Sequence, residues 1–284
     1  MPRPALTTTC IVVPCYNESE RLQVPAIERF LQETRQISFL FVNDGSRDQT
    51  PALLQSLAGS WPDRVHAWSL SRNCGKAEAV RRGILKAIDL EFHQIGFWDA
   101  DLATPLDAIP EFTRVLERHA AVDVVWGTRQ PLLGREIRRN PRRFLLGRIY
   151  SNLSAWACNV PVYDASCGAK LFRNSKVLRP LFDRPFHSRW IFDVEILSRL
   201  QRLSARQGNG SLRAALYELP VDRWDEVPGS KIRPGTFVTA FLELLQIGFR
   251  HYLGSEASLS PAVVEEPAAL LEIPSIPWQP RLVA

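Results

Sequence analysis

An α/β fold, with a mostly parallel twisted sheet and helices on both faces, is the architecture that this 284-residue sequence predicts. Three observations point to it. Short runs of β-branched and aromatic residues alternate with longer stretches of helical spacing through the first half of the chain, the pattern of buried strands joined by crossover helices. Acids, lysines and turn residues collect just after those runs, where a parallel sheet gathers its ligand-binding loops. The 45% apolar content suffices, over this length, for one large domain with additions.

Cys10 to Val13 is the first expected strand, followed by a helix over Glu18 to Thr34. Ile37 to Val42 is the second, and Pro51 to Ala58 is its helix. Val65 to Leu70 precedes a helix over Gly75 to Leu90, and Gln94 to Trp98 precedes one over Pro105 to His119. Val122 to Trp126 is the fifth strand. Pro51 and Pro105 suit early helical positions, where a missing N–H costs nothing. Beyond Trp126 the alternation fades. Arg138 to Trp156 predicts an amphipathic helix with Leu145, Ile149, Leu153 and Trp156 on one side. Ala169 to Phe172 reads as a strand, Phe192 to Leu203 as a helix and Ala215 to Val221 as a strand. Pro234 to Leu253 looks helical and apolar on most sides. The tail from Ser255 carries five prolines and little periodicity, so it reads as disordered or loosely docked.

Five cysteines form no CxxC pair and their number is odd, which predicts reduced thiols, a cytosolic setting and no zinc site. Met1-Pro2-Arg3-Pro4 lacks the layout of a signal peptide. No segment reaches the roughly 18 to 20 apolar residues of a membrane span. The nearest, Phe237 to Phe249, includes Glu243 and Gln246. The net charge of +5 is unevenly placed: seven arginines fall between Arg129 and Arg148, opposed only by Glu136. That cluster predicts anionic partners. Nucleic acid is the least favoured of these, because the arginines lack interleaved stacking aromatics and a recognisable motif.

The strand-end loops carry the chemistry. Pro14-Cys15-Tyr16-Asn17-Glu18 sets an aromatic ring, able to stack on a base, beside two polar side chains; a helix start capped by Asn17 explains it equally well. In Asn43-Asp44-Gly45-Ser46-Arg47-Asp48, a turn with an Asp48 cap accounts for Gly45 and Asp48 but leaves Asp44 over, an acceptor for a base N–H. Ser71-Arg72-Asn73-Cys74-Gly75-Lys76 ends at a helix N-terminus, which favours anions. It is not a Walker P-loop, and no GxGxxG follows any strand. Trp98-Asp99-Ala100-Asp101 delivers two carboxylates to a sheet edge, where hard oxygens can hold Mg²⁺ or Mn²⁺ against a diphosphate. Taken together, the four loops describe a nucleotide-diphosphate pocket with a metal.

These loops resemble those of the family 2 glycosyltransferases of the GT-A fold. Gly127-Thr128-Arg129, Asp164 to Arg173, Phe192-Asp193-Val194-Glu195, Trp224 and Gly229-Ser230-Lys231 narrow the likeness to the polyprenyl- and dolichyl-phosphate sugar synthases, in particular the dolichyl-phosphate β-glucosyltransferase-like members. Asp101 is followed by Leu102-Ala103-Thr104-Pro105, as in that branch. The resemblance covers about residues 8 to 235. It implies an N-terminal extension (1–8) and a GT-A domain (9–235) with a Rossmann-like nucleotide-sugar half (9–127) and an acceptor half (128–235). An apolar helix (236–254) and a proline-rich tail (255–284) follow.

What the resemblance implies is an inverting hexosyltransferase that moves sugar from a UDP- or GDP-sugar to a lipid monophosphate at the cytosolic membrane face, as a peripheral protein. Pro14, Tyr16, Asn17, Glu18, Asp44, Lys76, Asp99 and Lys231 are then nucleotide-sugar residues. Asp44 reads the base, Asp99 binds ribose or metal, and Asp101 holds the cation. Asp101, Arg129 and Asp193 are the catalytic residues, with Arg129 and Arg142 against the acceptor phosphate and Lys231 near the pyrophosphate. Phe237 to Leu253 is expected to dock on the bilayer or support a homo-oligomer. The rival expectation is a saccharide or other non-lipid acceptor, which needs Asp193 or Glu195 as base.

Overall fold

The computed structural model describes residues 8–138, 141–158, 160, 162–188, 191–206 and 212–227. In chain order the strands are β1 (Thr9–Cys15), β2 (Ile37–Asn43), β3 (Val65–Ser69), β4 (Gln94–Trp98), β5 (Val124–Thr128), β6 (Glu136–Arg138), β7 (Ala169–Arg173), β8 (Leu216–Pro220) and β9 (Arg223–Asp225). The helices are α1 (Val24–Glu33), α2 (Thr50–Ser60), α3 (Lys76–Asp89), α4 (Ile109–Arg118), α5 (Pro141–Cys158), α6 (Leu178–Phe182), α7 (Phe192–Arg206) and α8 (Leu212–Ala215). Seven strands form one sheet in the order β3-β2-β1-β4-β7-β5-β8, and β6 pairs with β9 apart from it.

The chain runs outward from β1 to β2 to β3, then returns to place β4 on the other side of β1. That reversal makes a switch point at the carboxyl ends of β1 and β4, where an open α/β sheet leaves a crevice. β7 enters between β4 and β5 in the antiparallel sense, so the sheet is mixed, whereas β5 and β8 are again parallel.

Side chains of β1 alternate between two cores. Cys10 and Val12 face one cluster with Val80 and Ile84 of α3, Leu181 of α6 and Ile196 of α7. Ile11 and Val13 face the other, with Phe30 of α1, Leu57 of α2 and Phe112 of α4. Each such large apolar side chain contributes roughly 1.5–3 kcal/mol on burial. Helix α3 lies especially close to the sheet: a Cβ at Gly83 would run into Val12, so only glycine admits the contact.

The five early strands and their helices lie where the residue pattern puts them, with two instructive shifts. The first helix starts at Val24, not Glu18, and Asn17 therefore does not cap it. Residues 16–23 are instead tied to the next loop, since Glu18 N donates to Thr50 Oγ1 and Asn17 takes a positive φ of 48°. Helix α5 begins only at Pro141, after β6 has used Arg138, and its apolar side chains are not all buried. Leu145 and Ile149 are exposed, whereas Ser151 and Ser154 are buried. The reason is that α5 rests on polar backbone: Ser151 Oγ accepts from Ala165 N, and Arg148 Nη1 donates to the Tyr163 carbonyl. The expected helix over Pro234 to Leu253 and the tail lie outside the described residues. Among the described residues no helix is long and apolar enough to cross a membrane, and Cys10, Cys15, Cys74 and Cys167 are free thiols.

Candidate active site

The loops after β1 and β2 are stitched into one rim. Asn17 N donates to Ser46 Oγ and Arg47 N donates to Asn17 Oδ1, both at 2.9 Å. Asp48 joins the same seam, accepting from Ser19 Oγ at 2.6 Å and from Thr50 N at 3.0 Å. Burial opposes its charge, but the Ser19 and Thr50 bonds hold the carboxyl well below the usual carboxylate range. Pro14 and Tyr16 are half-buried along this rim.

Asp44 is buried, and its two oxygens accept from Cys74 N at 2.7 Å and Gly75 N at 2.8 Å. The acid left unexplained by turn chemistry is thus what anchors the third loop to the second. Gly75 starts α3, and Lys76 in the first turn reaches across to Asp99 Oδ1 at 2.5 Å. Burial works against the Lys76 ammonium, yet Asp99, Asp193 and Asp101 together hold its pKa above the ordinary lysine value.

Asp99 and Asp101 follow β4 at the switch point. Trp98 Nε1 donates to the Thr104 carbonyl at 2.8 Å, Asp99 N to the Gly168 carbonyl at 3.1 Å, and Ala103 N to Asp101 Oδ1 at 3.1 Å, so the turn is held on three sides. Gly168 leaves the Asp99 carboxylate its place, because a Cβ there would push into it. Burial and then the neighbouring Asp99 charge push the Asp101 carboxyl up. Arg21, at 3.4 Å from Asp101 Oδ2, answers part of that charge. Two hard carboxylates one residue apart, each unfavourable beside the other, fit a Mg²⁺- or Mn²⁺-type ion. Among the described residues no third His, Cys, Asp or Glu joins them in a metal-sized cluster.

On the far side of β4, Arg129 follows β5 and is only 8% exposed. Its Nε and Nη2 grip Asp164 at 2.6 and 2.7 Å, Nη2 also reaches Ser166 Oγ, and the guanidinium lies 5.3 Å from the centre of the Trp224 ring. Burial opposes both charges of this pair. Each partner overcomes that cost for the other, with Arg129 pushed above and Asp164 pulled below their usual ranges. Asp193, in the first turn of α7, accepts from Lys170 Nζ at 2.7 Å. Burial pushes the Asp193 carboxyl up, against the pull of Lys170 and Lys76. Glu195 instead binds His187 N and Arg199, fixing the loop ahead of α7.

The structure therefore brings Glu18, Lys76, Asp99, Asp101 and Asp193 into one charged neighbourhood at the sheet edge, with Arg129 beside it. Lys231 and the Arg142 side chain lie outside the described residues. Three other members of the arginine cluster have structural partners: Arg135 pairs with Asp222, Arg138 with Glu136 and Asp225, and Arg148 stacks on Tyr163. Arg21, Lys170 and the gripping role of Asp164 are additions that sequence reasoning missed. Only Lys170 left a trace, as a charge inside an otherwise apolar strand.

The fold and this edge define a GT-A-type transferase. The structure of glucosyl-3-phosphoglycerate synthase from Mycobacterium tuberculosis with Mn²⁺, uridine diphosphate and glucosyl-3-phosphoglycerate superposes with a TM-score of 0.57 at 17% identity, covering 87% of this chain and 79% of that one. The profile of glycosyl transferase family 2 matches residues 10–178. A dolichyl-phosphate beta-glucosyltransferase of Trichomonas vaginalis is 30% identical over 256 residues, spanning 86% of this chain and 72% of that protein. The human dolichyl-phosphate beta-glucosyltransferase is 29% identical over 260 residues, spanning 86% and 76%. The chain belongs to glycosyl transferase family 2 and is a glycosyltransferase.

Proposed function

We propose that this enzyme transfers a hexose, glucose from UDP-glucose in the first instance, to a polyprenyl-phosphate-type lipid at the cytosolic face of a membrane. The observation that carries the donor half is the pairing of Lys76, at the N-terminus of α3, with Asp99 at the β1–β4 switch point. A diphosphate lying there meets an ammonium and a helix N-terminus on one side and two metal-binding carboxylates on the other. The named relatives direct the choice of sugar and acceptor.

Asp99 and Asp101 are the residues that would hold Mg²⁺ or Mn²⁺, which when bound neutralises charge on the departing nucleoside diphosphate. Lys76 binds the same leaving group. The base rests against the rim formed by Pro14, Tyr16, Asn17 and Glu18, and Asp44, bonded to Cys74 N and Gly75 N, fixes the loop that closes this side of the site. The acceptor phosphate has a second pKa near 6, so its attacking oxygen is already deprotonated and needs a cation more than a base. Arg129 supplies that cation: Asp164 and Trp224 orient it, and its Nη1 makes no hydrogen bond among the described residues. Arg142 and Lys231 complete the acceptor and pyrophosphate contacts. Exposed Leu132, Leu133, Leu145 and Ile149 supply an apolar surface for peripheral docking on the bilayer.

The test is a screen of UDP- and GDP-sugars against a short-chain polyprenyl phosphate, with Mn²⁺ or with EDTA, read by product mass. The expected product is the glucosyl phosphoryl lipid, formed only with metal. Equal turnover onto a free saccharide overturns the acceptor, and activity indifferent to EDTA overturns the metal.

A further inference from the structure

Lys170 has no task in the assignments above, yet it is 0% exposed at the centre of the sheet. It lies in β7, in register with Phe97 of β4 and Trp126 of β5. Its ammonium sits 4.3 Å from the centre of the Trp126 ring and 4.9 Å from that of Phe97. It donates to the Cys167 carbonyl and to Asp193 Oδ1. Packing does not call for this charge. Leucine or methionine would fill the slot, and an apolar pair replacing a buried ion pair is often as stable or more so.

The other end of the pair shows what the charge is for. Asp193 is 7% exposed and feels Lys76 and Asp99, the two residues at the heart of the donor site. Its Oδ1 is taken by Lys170, whereas Oδ2 makes no hydrogen bond among the described residues. The N-terminus of α7 favours an anion at this position as well. One oxygen is held by Lys170, and the carboxylate as a whole lies within electrostatic reach of Lys76 and Asp99.

We propose that Lys170 is a positioning residue: it holds Asp193 anionic and oriented so that Oδ2 accepts a hydrogen bond from a hydroxyl of the hexose being transferred. The inference rests on the reading of the protein as a nucleotide-sugar transferase, and it adds the group that reads the sugar. A fixed anion near a ring that acquires positive charge stabilises the transition state more than the ground state. The effect therefore falls on kcat rather than on donor KM.

The experiment compares wild type with K170M, D193N and K170M/D193N, using UDP-glucose and its 2-, 3-, 4- and 6-deoxy analogues with a short-chain polyprenyl phosphate. K170M and D193N should each lower kcat about tenfold or more while donor KM moves less than about threefold, the signature of an interaction made in the transition state. The double variant should be no worse than either single one. One deoxy donor, poor with wild type, should lose its disadvantage in all three variants. Should K170M fail to fold by circular dichroism, the double variant, which buries no lone charge, carries the same comparison. Folded K170M with wild-type kcat and undiminished deoxy discrimination overturns the assignment, as do losses that multiply in the double variant. Wild type inert toward every nucleotide sugar overturns the underlying reading and this inference with it.

Discussion

Asp99 and Asp101 repel one another, and the fold answers with Lys76 and Arg21 rather than by separating them. Asp101→Asn is expected to lower kcat about 10²- to 10³-fold, the scale of losing one preorganised electrostatic group. Mn²⁺ binding, followed by electron paramagnetic resonance, should weaken in parallel; unchanged affinity would remove Asp101 from the metal. Arg129 and Asp164 pose the opposite case, a pair whose worth shows only when it is broken. Asp164→Asn leaves a buried guanidinium without its countercharge and should cost about 3–5 kcal/mol in urea denaturation. A midpoint equal to wild type would mean that Arg129 finds another partner.

Elements matter here through what their ends hold. β7 is buried over nearly its whole length, and its lead-in passes so close to β4 that Gly168 lies against the Asp99 carboxylate. Gly168→Ala should leave circular dichroism unchanged while displacing Asp99, and displacements near 1 Å can cost up to about 10²-fold in rate. Steady-state kinetics on the folded variant decide it, and wild-type kcat would show that Asp99 has room to move. Helix α5 shows where periodicity misleads. Its expected apolar side divides, with Leu145 and Ile149 exposed and Leu153 packed on the core, while Ser151 and Ser154 are buried over the polar loop beneath. Exposed Leu145 and Ile149, with Leu132 and Leu133 ahead of the helix, then become candidates for lipid. Leu132→Asp with Leu133→Asp should weaken co-sedimentation with anionic vesicles while leaving turnover of a soluble short-chain acceptor unaltered. Undiminished sedimentation would place the membrane contact elsewhere.

Across the whole molecule, carboxyl groups shifted in opposite directions set the dependence of stability on pH. Asp48, Glu78 and Asp164 have folded pKa values below their unfolded ones. Their contribution is therefore complete above the unfolded values, about 4, and is lost as pH falls toward the folded ones. Asp101, Asp193 and Glu218 are raised by burial. Their ionisation costs stability as pH rises through the folded values, and that cost is relieved on acidification. His66 acts against that relief, because burial lowers its pKa and its protonation below about pH 6.5 therefore withdraws stability. Chemical denaturation should accordingly show a small net change between pH 7 and 5 and a fall below about pH 4. Stability unchanged between about pH 5 and 3 would overturn the role given to Asp48, Glu78 and Asp164.

How much could be read beforehand follows from the range of each interaction. Strands β1 to β5 and the four strand-end loops are local features, written in runs of apolar residues and in turn chemistry, and the residues alone located them together with the Asp99/Asp101 pair and Lys76. The start of α1, the buried face of α5, the β6–β9 pairing and the antiparallel insertion of β7 depend on partners far away in the chain, so no local pattern encoded them. The same holds for charge. A sequence names the carboxylates and the cations, but which one neutralises which is decided by burial and contact. Only the tertiary structure joined Arg129 to Asp164 and Lys170 to Asp193, because a charge withdrawn from water must find its partner in space, whatever their separation along the chain.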